Sequence, residues 1–237
     1  MGNWNGYNTD EFYFEEKTAI VVKPTNIKPN GRWLYKTEYF GAFPEFEIAM
    51  LNKGYHVCYV ATKTRWANDE DIEIMKNFVE YVSKEYNLSK KCIPVGMSCG
   101  GLKAVKFTER YPDKVAVMYI DAPVLNILSM AIGSTKLDRW QELVNAYGFS
   151  KSTVLNFRES PIDKMEVLID NNIPIIMVYG DADDIVCYTE NGKVLEDYYK
   201  KHNGTIKVIS KSMCEHHPHG LEDTSIIEKF VEDNYGE

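Results

Sequence analysis

The sequence predicts an α/β protein whose mainly parallel central sheet carries helices on both faces and a helical insertion over its top edge. Three observations predict it. Short apolar, β-rich runs alternate with stretches of helical period along nearly the whole chain. The 237 residues, 44% of them hydrophobic, are enough to bury the core of one large α/β domain. Between residues 17 and 232 there is no Ser/Gly-rich linker, repeat or block of one charge sign to mark a boundary, so residues 1–237 are expected to form one domain.

The strand candidates, in order, are TAIVVKP (18–24), HVCYVA (56–61), KCIPVGMS (91–98), VAVMYIDAP (115–123), IPIIMVYGD (173–181) and TIKVISK (205–211). Between them lie the helical patterns. PEFEIAMLNKG stops at Gly54, DEDIEIMKNFVEYVSKEYN opens on acids, and GGLKAVKFTERYP stops before Pro112. NGKVLEDYYKKHN and DTSIIEKFVEDNY complete the set. Strand alternating with helix implies parallel pairing, with binding sites at the carboxyl ends of the strands. The interval from about 125 to 172 has no strand signal and reads as a lid-like insertion. Pro94 falls inside a strand that should be central, where it removes a ladder donor; a bulge or a late start to regular pairing would absorb it.

Residues 96–100, GMSCG, match G-x-S-x-G at the junction of an expected strand and an expected helix. On so sharp a turn the serine stands clear of the sheet, and the helix behind it aims its amides at the same place. Ser98 is therefore the candidate nucleophile and the Cys99 N–H a candidate oxyanion donor. A serine needs a base, and the base needs an orienting acid, each after a later strand. GDADDIV supplies Asp181, Asp183 and Asp184; SMCEHHPHGL supplies His216, His217 and His219. Asp121, at the end of the strand beside the nucleophile strand, competes as the acid.

The chain here resembles the α/β-hydrolase fold family over nearly its whole length, on GMSCGG, on GDADDIV and on the histidine loop before the last helix. The resemblance implies Asp183 as the acid, three after Gly180 and three before Val186, and His216, first in its loop, as the base. GRWLYKTEYFGAFPEFEIAMLNKGYHVCYV, IDAPV and HHPHGL look like a little-characterised bacterial branch of esterase-like hydrolases. That branch usually has arginine after the serine, VP in the acid loop and GRPW in place of GRW, so Cys99, Cys187 and the shortened GRW depart from it.

Composition narrows the partners. A net charge of −8 disfavours nucleic acid and anionic membranes, both of which need a basic face. The opening MGNWNGYNTDEFYFEEK has neither a basic n-region nor an apolar h-region, and no apolar run approaches a membrane span, so a cytoplasmic protein is expected. Five cysteines without close CxxC spacing suit reduced thiols. HHPH offers H-x-x-H, but nothing nearby completes a zinc site, so no metal is expected, and the chemistry requires no cofactor. The second oxyanion donor is expected from the loop after AIVVKP, with Thr25 the candidate. Trp33, Tyr35, Tyr39 and Phe40, with Trp140 in the insertion, would form an aromatic substrate wall; Trp33, Tyr35 and Trp140 are the substrate-binding candidates. The expected function is a serine carboxylesterase acting on a small ester. The alternatives are a serine peptidase on short peptides, which needs a charged anchor such as Arg32, Lys36 or Glu38, and a non-catalytic binding module. The oligomeric state is open.

Overall fold

The computed structural model describes residues 2–25, 27–132 and 138–236. Strands β1 (Gly2–Trp4), β2 (Tyr7–Phe14), β3 (Lys17–Val22), β4 (Trp33–Lys36), β5 (His56–Val60), β6 (Ile93–Met97), β7 (Met118–Asp121), β8 (Ile175–Gly180) and β9 (Ile206–Lys211) form one sheet in the order β1-β2-β3-β5-β4-β6-β7-β8-β9. From β5 to β9 every pairing is parallel, while β1, β2 and β3 meander antiparallel on one side, and β3 also meets β5 antiparallel.

The expected helices are α1 (Glu45–Leu51), α2 (Asp69–Glu85), α3 (Cys99–Arg110), α7 (Gly192–Lys201) and α8 (Ser225–Asn234). Asn68 caps α2 by accepting the Asp71 N–H at 3.0 Å. Two apolar layers cover the two faces of the sheet. Phe78 and Met75 of α2, Leu102 and Phe107 of α3 and Tyr199 of α7 lie in one; Phe46 and Met50 of α1 with Ile227 and Val231 of α8 lie in the other. Among the described residues, the interval 125–172 holds α4 (Ile127–Ile132), α5 (Trp140–Tyr147), α6 (Glu166–Asp170) and two 3-10 turns, with no strand. Residues 133–137 of that interval lie outside the described residues. No helix among the described residues is long and apolar enough to cross a membrane.

One expectation about the sheet is corrected and one open question is answered. WLYK, expected in a loop, is β4, a four-residue strand between β5 and β6 with every side chain buried. The Pro94 difficulty resolves on the β7 side alone. Toward β4, Pro94 is in register with Tyr35; toward β7, an isolated bridge joins Cys92 to Val115 and regular pairing resumes at Val95 with Tyr119, a slip of one residue that leaves no β6–β7 pair at Pro94, where proline has no N–H to give.

Candidate active site

The site is built at the carboxyl ends of the parallel strands. Between β6 and α3 the chain turns at Ser98, whose φ of +53° and ψ of −119° lie where side-chain-bearing residues rarely sit. The turn can be this tight because Gly96 has no side chain: a Cβ there would overlap the Gly100 carbonyl. Ser98 N–H donates to the Asp121 carbonyl at 2.9 Å, which ties the turn to the end of β7. Cys99 lines the site and opens α3, so its N–H has no acceptor inside the helix.

After β8, the acid loop passes so close to the histidine loop that a Cβ on Gly180 would overlap the Cys214 and Glu215 carbonyls. That proximity brings together three residues distant in sequence. His216 Nδ1 donates to Asp183 Oδ2 at 2.7 Å, leaving Nε2 to accept from Ser98 Oγ at 3.0 Å. Asp183 Oδ1 accepts the Ile185 and Val186 N–H groups, each at 2.9 Å. Burial pushes the Asp183 carboxyl up, but the hydrogen bonds from His216 and Val186 outweigh it and hold it below its ordinary range.

Asp121, the rival acid, holds His219 instead: His219 Nδ1 donates to Oδ1 at 2.8 Å and Gly220 N–H to Oδ2 at 2.7 Å. Asp181 accepts the Met213 N–H at 2.6 Å and does not reach an imidazole. His217 is exposed and stacks on Phe43, with ring centroids 5.8 Å apart. Ligand nitrogens of the three histidines lie within 4.8 Å of one another, but His216 and His219 already hold Asp183, Ser98 and Asp121 through three of them.

A cavity of about 290 Å³ opens over Ser98, lined by Tyr39, Ala42, Phe43, Arg65, Met97, Cys99, Met130, Arg139, Ile185 and the three histidines. Burial raises the Cys99 thiol, so it is a neutral wall group rather than a thiolate. The other four lining and donor candidates are not here. A donor at Thr25 requires β3 to run parallel to β5. In fact β3 runs antiparallel to β5, with Val22 opposite Val57 and Ala19 opposite Val60, so Thr25 leaves at the edge of the sheet away from Ser98. The loop after β4 overhangs Ser98 in its place and brings Tyr39 to the cavity.

Trp33 and Tyr35 are core residues, both fully buried on β4; Trp33 Nε1 donates to the Ser89 carbonyl at 2.9 Å, and Tyr35 packs on Phe78 and Phe107. Trp140 opens α5 and lines a separate hollow with Ala131, Ile132 and Leu155. Of the expected charged anchors, Arg32 lies over the Tyr235 ring, Lys36 pairs with buried Glu47 at 2.5 Å, and Glu38 pairs with Lys103. Arg65 and Arg139 were missed. Arg65 follows the carboxyl end of β5, and the same strand-end rule that singled out the other loops would have found it.

A family model described as the prolyl oligopeptidase family matches residues 56–232. The chain belongs to the prolyl oligopeptidase family. The fold that this family model and the solved structures support for the chain is the α/β-hydrolase fold. Among solved structures it resembles Pyrococcus horikoshii acylaminoacyl peptidase (TM-score 0.72, 13% identity), covering 97% of this chain and 42% of that one. A Mycobacterium tuberculosis puromycin-hydrolyzing peptidase matches with TM-score 0.72 at 12% identity over 96% of this chain and 39% of its own. Porphyromonas gingivalis dipeptidyl peptidase 4 matches with TM-score 0.69 at 15% identity over 98% and 36%. The chain thus spans about two fifths of the length of these neighbours. No curated protein matches it.

Proposed function

We propose that the chain is a serine peptidase acting on short or N-acylated peptides. The observation that carries this is the hydrogen-bonded series Ser98–His216–Asp183 in a chain of this family. The neighbours named as peptidases favour cleavage of an amide over the carboxylesterase expected from sequence.

In this mechanism Ser98 Oγ attacks the scissile carbonyl while His216 Nε2 takes its proton. Asp183 holds Nδ1–H, which fixes the tautomer and stabilises the imidazolium. The Cys99 N–H, at the positive end of α3, receives the developing oxyanion, with Tyr39 bordering the same space. The tetrahedral intermediate collapses as His216 returns the proton to the leaving amine. Water then attacks the acyl-enzyme with His216 again as base.

The test is a panel of p-nitrophenyl esters, aminoacyl anilides and N-acyl dipeptides. Turnover of the amide substrates, absent in Ser98→Ala, is the expected outcome. Turnover of esters alone restores the carboxylesterase, and inertness toward every member leaves a binding module.

A further inference from the structure

The chain carries eight net negative charges, yet no Asp or Glu among the described residues lines the cavity over Ser98, whereas two arginines and three histidines do. The arginines come from different segments. Arg65 lies on the loop between β5 and α2, and Arg139 precedes the first residue of α5. Both converge on one carboxylate. Arg65 gives Nε and Nη2 to Glu142 at 2.9 and 2.7 Å, and Arg139 gives Nη1 at 2.9 Å.

The Arg65 loop is held from below by buried Asp71, whose Oδ1 accepts the Lys63 and Thr64 N–H groups at 2.9 and 3.0 Å. Arg65 therefore enters the cavity on a prebuilt loop rather than a mobile one. A tether for α5 accounts for one guanidinium. The second leaves Glu142 outnumbered, and the excess positive charge faces an apolar space bounded by Met97, Met130 and Ile185. A guanidinium offers five donors in a planar fork, so each arginine bound to Glu142 retains donors for a second anion.

We propose that Arg65 and Arg139 form a carboxylate anchor, and that the substrate is a small acyl compound bearing a carboxylate a few bonds from the scissile carbonyl. This rests on the serine hydrolase reading of Ser98. The carboxylate could sit on the leaving half, as the C-terminus of a short peptide, or on the acyl half, as in a dicarboxylic half ester. The shared chemistry is an anion at a fixed reach from Ser98, with an apolar stretch between the two.

Two matched pairs separate the sources: N-acetyl-Ala-Ala against its C-terminal amide, and p-nitrophenyl hydrogen glutarate against p-nitrophenyl methyl glutarate. The expected result is a kcat/KM preference of about tenfold or more for the anionic member of one pair, the size of a single well-placed charge contact. That preference should fall about fivefold or more in Arg139→Gln and Arg65→Gln, recover in part in Arg139→Lys, and persist in Arg158→Gln, which alters an exposed arginine elsewhere. No preference in either pair, or a preference that survives both glutamine variants, overturns the anchor. Fluorophosphonate labelling of Ser98 keeps the two readings separable, because absence of labelling removes the hydrolase alone. Calorimetric titration with glutarate then decides the anchor by itself: binding that Arg139→Gln weakens supports it, and no binding to the unmodified protein overturns it.

Discussion

Ser98 is held at a positive φ, so the turn and the chemistry make different demands on the same residue. Ser98→Ala should lower kcat by about a million-fold, the usual cost of losing such a nucleophile. Ser98→Gly should be equally inactive but melt roughly 2–4 °C above Ser98→Ala, because glycine relieves about 1 kcal/mol of backbone strain; equal melting temperatures would show that the turn carries none. His216→Ala should cost orders of magnitude in kcat, whereas His217→Ala, which removes only an exposed ring on Phe43, should cost far less. Steady-state kinetics on the two variants checks the ranking. Ser98, Asp183 and His216 were legible because each lies in a short local pattern at the end of a strand. Arg65 follows a strand end and was open to the same rule, but its pairing with Arg139 was not legible, since no spacing in the chain links the loop after β5 with the start of α5; only the docking of that helix brings them together.

At the scale of elements, a strand's direction decided what its loop could do. The alternation of apolar runs with helices identified β5, β6, β7, β8 and β9, but nothing in TAIVVKP says whether it runs with or against HVCYVA. WLYK escaped notice because four consecutive buried residues carry neither alternation nor length. The reassignment of Trp33 has a measurable consequence. Trp33→Ala should destabilise by about 3–5 kcal/mol, a fall of roughly 10 °C in melting temperature, while kcat/KM of the folded fraction stays unchanged; a selective fall in kcat/KM would return Trp33 to the site. His56, at the start of β5, is buried with no partner for Nδ1, and burial, with Lys23 adding to it, lowers its pKa from 6.5 to about 4. An unfolded chain therefore takes up a proton below pH 6.5 that the folded chain refuses until about pH 4, so stability falls as pH falls through that window. The loss is about 3 kcal/mol by its acid end. In His56→Leu the slope of melting temperature against pH between those limits should flatten; an unchanged slope would assign it to other groups.

Across the whole molecule, the antiparallel strands close the side of the sheet next to β5. Phe12 and Phe14 of β2 lie against Tyr81 and Phe78 of α2, with ring centroids 5.1–5.5 Å apart. Deleting residues 2–14 uncovers that apolar surface and the β3 edge together, and the shortened chain should aggregate on gel filtration where the intact chain does not. The site, by contrast, is governed from the other side of β5. Ser98 and His216 are 118 residues apart, but both are referred to the last residue of β7: its backbone carbonyl takes the Ser98 N–H, and its carboxylate takes His219 and Gly220. Asp121→Asn should therefore lower kcat roughly ten- to hundredfold through misplacement alone, with KM little changed; an unaltered kcat would show that the histidine loop holds itself. Two instruments calibrated against one benchmark inherit the same error, and the error vanishes from their difference. A shift of β7 displaces the turn at Ser98 and the histidine loop in the same sense, since both are bonded to Asp121, so the interval between them changes less than the position of either.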